Sequence, residues 1–469
     1  MCQLGERLYD VWERFRQCFK TKTRDTSENA YHYLSGLLRM KTHRHFVGIS
    51  REEAVDSQRL QHFMSQSPWS GEAVCHQVRQ ELKATTELTA GGVLLVDESA
   101  DEKAGDQSTG AARQYNGRMG KVEMSQVGVM LGYANLKVAQ GFWSWVDGEL
   151  FLPQDWFSEE RKPLRERLGV PQERGFQSKV DLAWTMIERA IDEELPFECV
   201  GFDTLYGRST DLRAQVRAAG KIYMAEVPAD TRAYREPPLL GVPEPTSRRG
   251  RKPSKIQVLE GEAVRVDSLR EVLPWQEILV RSTERGELYD PFAFCRIWTV
   301  HEGQVVEDWL VMRREADGKD SYALCNASAD TPKETLAWWK CQRYFIERAN
   351  QDAKSELGWD ELQARKYLAW EHHLALTVLA SWFVAQTKYE WARDYPRDPT
   401  LLDQLQTEVL PALSMANVRS LLRAVMPLRQ LSPQQATQRV IEHLQNRARS
   451  RNSRTKQQRL AKRTVAGAT

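Results

Sequence analysis

Apolar residues recur every three or four positions in the first part of the chain, at Leu4, Leu8, Val11, Trp12 and Phe15. This period is that of an amphipathic helix. Ser50, followed three residues later by Glu53, has the spacing of a helix start, and residues 57–69 fit the second helix of a helix-turn-helix-like unit. The pattern therefore predicts a helical domain over residues 1–88.

Beyond residue 88 the period changes, and short apolar runs predict buried β-strands. The run GGVLLVDES contains Asp97 at the end of one such strand, and FECVGF leads directly into Asp203. Continuous apolar runs are typical of strands that are covered on both faces. Further strands are predicted in residues 125–153 and 221–228, the latter with Glu226, and helices lie between them. This alternation predicts an α/β core whose first part spans residues 89–228.

Residues 229–330 interrupt this core. A Pro-rich basic stretch, predicted to be a loop, is followed by runs that alternate or stay apolar as strands do, namely EILVRS, PFAFCRIWTV, VVEDWLVMRRE and SYALCNAS. We therefore predict a basic loop and a β-rich insertion over residues 229–330. Trp298 and Trp309 lie in it.

The sequence of residues 331–358 predicts one long helix. With this helix the second part of the core begins, and it is predicted to span residues 331–390. Thr331 and Glu334 have the spacing of a capping box, and Gly358 is a helix stop. At about 100° per residue, Arg343, Glu347 and Lys354 project within roughly 40° of one another. Alone, this pattern is more often an ordinary amphipathic helix with surface ion pairs. Further helices are predicted over 391–446.

The basic residues are distributed unevenly along the chain. The net charge is +2, yet the segment from Arg419 onward contains twelve basic residues and a single acidic residue, Glu442. We predict a disordered basic tail over residues 447–469 that binds phosphates without sequence preference. The seven cysteines form no CxxC pair, which favours reduced thiols over disulfides or zinc. A signal-peptide pattern is absent, and the apolar run 374–385 is too short to span a bilayer, so we expect a cytoplasmic protein with no membrane partner.

Three carboxylates, Asp97, Asp203 and Glu347, suit the chemistry of a metal-dependent phosphodiester enzyme. One carboxylate cannot hold two magnesium ions, so several must converge from different elements. Each of them alone has a commoner explanation, such as a strand-end Asp that caps the next turn. The basic Gly-rich segment 101–121, predicted to be a loop, suits a phosphate backbone.

In this order the three carboxylates resemble the DDE triad of insertion-sequence transposases with a ribonuclease-H-like core. Arg343, Glu347 and Lys354 match the last three members of the Tyr-Arg-Glu-Lys signature of one branch, whereas Lys340 stands in the place of the Tyr. The stretches GAARQYNGRMGKVEMSQVGV and QARKYLAWEHHLALTVLASWF are also similar to this branch. The resemblance covers roughly residues 30 to 390.

The resemblance implies a ribonuclease-H-like mixed sheet with a β-rich insertion, and a DNA transposase that cuts insertion-sequence ends and joins them to target DNA. It implies that Asp97, Asp203 and Glu347 are catalytic and hold two Mg²⁺ ions, for which Mn²⁺ would substitute. Homodimerisation would bring two DNA ends together. The residues expected to bind DNA are Arg343, Lys354, Arg113, Arg118 and Lys121.

Several alternatives stay open. The helical domain 1–88 is either a domain that binds DNA ends, which the resemblance favours, or a helical cap on the core. Trp298 and Trp309 are equal candidates for the tryptophan that stabilises a flipped base in some relatives. The rival functions are another ribonuclease-H-like nuclease and a domesticated or inactive DNA-binding protein of transposase origin.

Overall fold

The computed structural model describes residues 3–117, 119–138, 141–244, 253–283, 286–394 and 412–427, together with scattered positions between 402 and 452. The chain forms two compact units, residues 1–426 and 427–469. In the first unit the helices are α1 (Leu4–Phe15), α2 (Ser27–Arg39), α3 (Phe46–Glu53), α4 (Ser57–Ser65), α5 (Gly71–Ala84), α6 (Lys162–Leu168), α7 (Lys179–Asp192), α8 (Thr204–Gly207), α9 (Thr210–Ala218), α10 (Lys333–Cys341), α11 (Tyr344–Ser355), α12 (Tyr367–Asp394) and α13 (Met415–Val425).

The long strands lie at the predicted apolar runs, whereas several short strands lie where no strand was predicted. They are β1 (Val93–Glu102), β2 (Ala112–Asn116), β3 (Lys121–Asn135), β4 (Phe142–Phe151), β5 (Cys199–Phe202), β6 (Ile222–Val227), β7 (Arg232–Tyr234), β8 (Leu239–Gly241), β9 (Gln257–Glu260), β10 (Ala263–Arg265), β11 (Gln276–Thr283), β12 (Gly286–His301), β13 (Gln304–Arg314) and β14 (Asp320–Cys325). Strands β8 and β9 form a small separate sheet, and the others form one 12-stranded sheet.

The centre of the large sheet is mixed. Strands β1, β5 and β6 run parallel to one another, while β3 is antiparallel both to β1 and to β4. The order across this part is β4, β3, β1, β5 and β6. The parallel strands are buried along their apolar runs, as is usual for strands that helices cover. The predicted ribonuclease-H-like α/β fold with a mixed sheet is therefore confirmed.

The β-rich insertion continues the same sheet. Strand β14 pairs antiparallel with β6, and β13, β12 and β11 follow outward in antiparallel pairs. Trp309 lies on β13, where its Nε1 donates to the Ser328 carbonyl at 3.0 Å, and the Arg296 guanidinium lies 5.0 Å from its ring. Trp298 lies opposite Tyr234 of β7. Both tryptophans remain candidates for a role in DNA binding.

The N-terminal helices pack against the long helix α12, with α2, α4 and α5 all in contact with it. The buried side chain of His373 joins the two parts, because its Nδ1 lies 3.1 Å from the Tyr33 hydroxyl and its Nε2 lies 3.2 Å from the Trp359 carbonyl oxygen. Helix α12 contains the apolar run 374–385, which is buried in the core. In the part of the chain that the structure describes, no helix is long and apolar enough to cross a membrane.

Three local predictions are wrong. The single helix predicted over residues 331–358 is two helices, α10 and α11, and no side chain caps the first of them. Ser50 lies inside α3, whose N-cap is His45. The basic Gly-rich segment is not a loop throughout, because β2 pairs with the start of β3 to form a hairpin.

Candidate active site

Asp97 and Asp203 lie side by side on neighbouring parallel strands. Val96 of β1 pairs with Phe202 of β5, and each aspartate is the next residue along its chain. Adjacent strands are about 4.8 Å apart, so the register alone brings the two aspartates close together. Asp203 ends its strand and caps the short helix α8, with its Oδ1 accepting from the backbone N–H of Leu205 at 2.9 Å and of Tyr206 at 3.2 Å.

Asp97 is partly buried, and both of its carboxylate oxygens accept hydrogen bonds. Its Oδ1 accepts from the backbone N–H of Glu98 at 2.7 Å, and its Oδ2 accepts from the Asn350 amide at 3.1 Å. The pKa of Asp97 is raised to about 7, chiefly by burial and in part by the negative charges of Asp203 and Glu347, while the hydrogen bond from the Glu98 backbone and the charge of Arg343 oppose the rise. Burial also raises the pKa of Asp203. The charges of Asp203, Glu347 and Arg343 thus all act on Asp97, and we call these four residues the charged cluster.

Arg343 and Glu347 reach this cluster from the junction of α10 and α11. Arg343 is the N-cap residue of α11, and Glu347 lies in its first turn. The guanidinium of Arg343 bridges two carboxylates, with one nitrogen 2.6 Å from Glu347 and Nε 3.2 Å from Glu226. The Glu347 side chain is 50% exposed, whereas that of Arg343 is 29% exposed. Glu347 is therefore the accessible member of the pair.

Glu226 of β6 lies beside the cluster and is already paired. Its Oε1 is 3.0 Å from Nζ of Lys340, whose side chain is 1% exposed. Burial would raise the pKa of Glu226, but the charges of Lys340 and Arg343 outweigh it and lower that pKa. Lys340 occupies the position where the signature has a Tyr. Its ammonium group is committed to Glu226 inside the protein.

The remaining predicted cations lie at different distances from the cluster. Lys354 is on α11, two turns beyond Glu347. Burial raises the pKa of Asp101 of β1, and the positive charge of Lys354 opposes that rise. Arg113 on β2 and Lys121 at the start of β3 are exposed on the hairpin, and Lys121 is 2.7 Å from Glu123. Arg118 lies outside the described residues.

The close approach of α11 to the sheet depends on a glycine. A Cβ on Gly132 of β3 would lie 2.6 Å from Cδ1 of Ile346, which is too close for two carbon atoms. Ile346 is fully buried and directly precedes Glu347. The missing side chain at Gly132 therefore sets how near Glu347 comes to the two aspartates.

The donor atoms suit a hard divalent cation in kind, because the cluster offers carboxylate oxygens, which Mg²⁺ prefers. A cation would also relieve the repulsion that helps to raise the pKa of Asp97. Across the described part of the chain, no group of three His, Cys, Asp or Glu side chains is in position to hold a metal ion. Glu347 points its carboxylate to Arg343 instead, so coordination requires this side chain to change partner.

Two comparisons relate this chain to known proteins. The chain matches the family model of the DDE superfamily endonucleases over residues 14–287, which is more than half of its length. It therefore belongs to the DDE superfamily endonucleases. The matched residues include Asp97 and Asp203 and end before Glu347.

The chain is also similar to the probable transposase for insertion sequence element IS701 of Microchaete diplosiphon. The two are 24% identical over 331 residues, which cover 68% of this chain and 72% of that protein. The assignment to the Tyr-Arg-Glu-Lys branch stays a prediction.

Sequence reasoning missed Asn350, which donates to Asp97. Asn350 follows Glu347 by three residues and so lies on the same side of α11. That spacing was available in the sequence, but nothing in the spacing identifies an Asn as the partner of an aspartate 253 residues away.

Proposed function

We propose that this protein is an insertion-sequence transposase that cuts the ends of its element and joins them to target DNA. The observation that carries the proposal is the cluster of Asp97, Asp203 and Glu347 beside Arg343, built from two adjacent strands and one helix. Membership of the DDE superfamily endonucleases supports the cutting step. The named function of the IS701 relative supports the transposase role.

In this proposal Asp97, Asp203 and Glu347 would hold two divalent cations, Mg²⁺ or Mn²⁺. When bound, such ions activate a water molecule and stabilise the departing 3′ oxygen of the cut strand. The same carboxylates would later serve the attack of that 3′-hydroxyl on target DNA. Two copies of the chain would hold two DNA ends.

Arg343 has a role that follows from its present contacts. It holds Glu347 with one guanidinium nitrogen and Glu226 with another. When Glu347 turns to a cation, the freed N–H groups of Arg343 can donate to a phosphate oxygen, while Glu226 keeps the guanidinium plane in place. Lys354, two turns further along α11, would hold a neighbouring phosphate as a point charge.

The test is Asp97→Ala, assayed on a labelled fragment that carries one end of the source element. We expect magnesium-dependent cutting to fall by orders of magnitude, because a cation ligand is lost. DNA binding in gel shifts should persist and tighten slightly, since one negative charge near the phosphates is removed. Cutting equal to that of the wild type would refute the proposal.

Asp308→Asn is the matched control. Asp308 is also a buried carboxylate of the large sheet, but its partners are Arg217 at 2.6 Å and the Tyr223 hydroxyl at 2.7 Å. It therefore tests loss of a buried charge without loss of a site carboxylate. We expect this variant to lose some stability and to cut DNA at the wild-type rate per folded molecule.

A further inference from the structure

The side chain of Asn350 connects the two halves of the candidate site. Its Nδ2 donates to Oδ2 of Asp97 at 3.1 Å and to the backbone carbonyl of Glu98 at 3.2 Å. Asn350 lies on α11 and is buried, at 9% exposure. Both hydrogens of its amide are thus directed at strand β1, one of them at the carboxylate itself.

Trp145 fixes which way the amide faces. The oxygen and nitrogen of an Asn side chain are told apart by their hydrogen-bond partners. The indole Nε1 of Trp145 can only donate, and it lies 3.0 Å from Oδ1 of Asn350. The opposite orientation would place the amide oxygen against the Asp97 carboxylate and the NH₂ group against the indole N–H, so both contacts would repel.

The supporting tryptophan is itself packed in the core. Trp145 lies on β4 at 1% exposure, and its ring contacts that of Trp359 edge-on, with the ring centroids 5.3 Å apart. A buried indole therefore holds the amide, and the amide holds one oxygen of Asp97. The backbone N–H of Glu98 holds the other oxygen at 2.7 Å. Each carboxylate oxygen of Asp97 therefore accepts a hydrogen bond from the protein.

We propose that Asn350 is a positioning residue, which orients Asp97 to receive a divalent cation. The inference rests on the proposed function, because it takes Asp97 to be a cation ligand. Partners that hold a ligand in place typically contribute about 10- to 100-fold to metal affinity or activity. Asn350 itself need not touch the cation or the DNA.

The test measures Mn²⁺ binding to the full chain by electron paramagnetic resonance, in the absence of DNA and so independently of cutting. We expect Asn350→Ala to raise the Mn²⁺ Kd by about tenfold. Asn350→Leu fills more of the volume that Ala leaves empty but donates no hydrogen bond, and should behave the same way. Thermal melting gives the folded fraction of each variant, by which its affinity is corrected.

Asn326→Ala is the matched control. Asn326 is another amide at the sheet, with Oδ1 accepting from the Tyr223 backbone N–H at 2.7 Å and Nδ2 donating to the Lys221 carbonyl at 2.9 Å. It bridges backbone groups and touches no carboxylate of the cluster. Its loss should lower stability and leave the Mn²⁺ Kd unchanged.

Cutting assays supply the second readout. A positioning role predicts that Asn350→Ala and Asn350→Leu lower kcat while the Kd for DNA stays at the wild-type value. A wild-type Mn²⁺ Kd in both variants, or an equal loss in Asn326→Ala, would overturn the inference.

The failure of the inference and that of the proposed function are distinguishable. If Asp97→Ala loses Mn²⁺ binding while the Asn350 variants keep it, only the positioning role fails. If Asp97→Ala binds Mn²⁺ and cuts DNA as the wild type does, the proposed function fails, and the inference fails with it.

Discussion

Lys340 and Arg343 are charged groups that lie next to opposite charges, and Asp97 differs from them. Lys340 is almost completely buried, yet Glu226 lies 3.0 Å away. Arg343 lies between Glu226 and Glu347. Asp97 is different, because the negative charges of two other carboxylates act on it, and its pKa is raised to about 7. A strongly perturbed acid whose neighbours have the same charge is characteristic of a functional position rather than of a stabilising one.

A buried histidine gives a pH-dependent prediction at the residue scale. Burial lowers the pKa of His373 to about 4, whereas an exposed histidine titrates near 6.5. Between these pH values the unfolded chain binds the proton and the folded chain does not. Stability is therefore complete above pH 6.5 and falls as the pH drops, by about 2 kcal/mol at pH 5 from this group.

The measurement is urea unfolding at pH 7.5 and pH 5 for the wild type and for His373→Gln. Gln keeps a polar side chain near the Tyr33 hydroxyl but has no proton to take up. We expect the variant to be less stable at pH 7.5 and to lose less stability than the wild type on going to pH 5. An identical loss in the two proteins would show that His373 does not contribute to acid sensitivity.

At the scale of elements, the strands were predictable and the junction of α10 and α11 was not. The apolar runs that precede Asp97 and Asp203 match β1 and β5 because parallel strands buried on both faces need continuous apolar residues. The residues at the junction, Gln342 and Arg343, keep right-handed helical angles. Neither is a Gly or a Pro, so the sequence contains no break signal there.

The junction is instead a local tightening of the helix. The backbone N–H of Phe345 donates to the Gln342 carbonyl at 2.9 Å, and that of Ile346 donates to the Arg343 carbonyl at 3.2 Å. These are i to i+3 bonds of the 3₁₀ type. Such a change depends on packing against distant strands, which the sequence of the helix does not report. The role of Asn350 could not be predicted for the same reason, because its partners Asp97 and Trp145 lie on other elements.

The packing of α11 on the sheet leads to a prediction for Gly132→Val. The new side chain would overlap Ile346 and push α11 outward, moving Glu347 from the aspartates. We expect a loss of about 1–3 kcal/mol in stability from overpacking. Cutting should fall by about 100-fold, since an error near 1 Å in a catalytic group has that effect. Cutting rates per folded molecule and thermal melts would measure both effects.

Gly175→Ala provides the control for this change. Gly175 lies between α6 and α7, where an added Cβ meets nothing within 4 Å. It also replaces a glycine by a larger residue, outside the segment predicted to bind DNA. This variant should cut DNA as the wild type does. Wild-type cutting by Gly132→Val would show that the distance between α11 and β3 does not control the site.

At the scale of the whole molecule, charge is distributed unevenly. The chain has 66 basic and 64 acidic residues, so its net charge of +2 does not draw it to DNA. The candidate site itself gathers carboxylates, which repel a phosphate backbone until cations bind. We therefore expect much of the attraction to DNA to come from local concentrations of basic residues.

The largest such concentration is at the C-terminus, and its deletion gives the last prediction. Removing the residues after Asn446 removes eight basic side chains, namely Arg447, Arg449, Arg451, Arg454, Lys456, Arg459, Lys462 and Arg463. Because charge attraction carries no sequence information, binding to the terminal repeat and to unrelated DNA should weaken by the same factor. The slope of log K against log salt should become shallower, by at most about 7 if all eight contact phosphates.

Deletion of residues 464–469 is the control, since this segment, TVAGAT, carries no charged side chain. Shortening the chain there should change neither the affinity nor its salt dependence. Both truncations are compared with the full chain by fluorescence anisotropy across a series of salt concentrations, on repeat and non-repeat DNA. If removal of the basic segment abolished the preference for the repeat and left the affinity for unrelated DNA unchanged, the tail would be a specific reader of sequence. Equal weakening on both DNAs would instead assign end recognition to residues before the tail, the helical domain 1–88 being the predicted place.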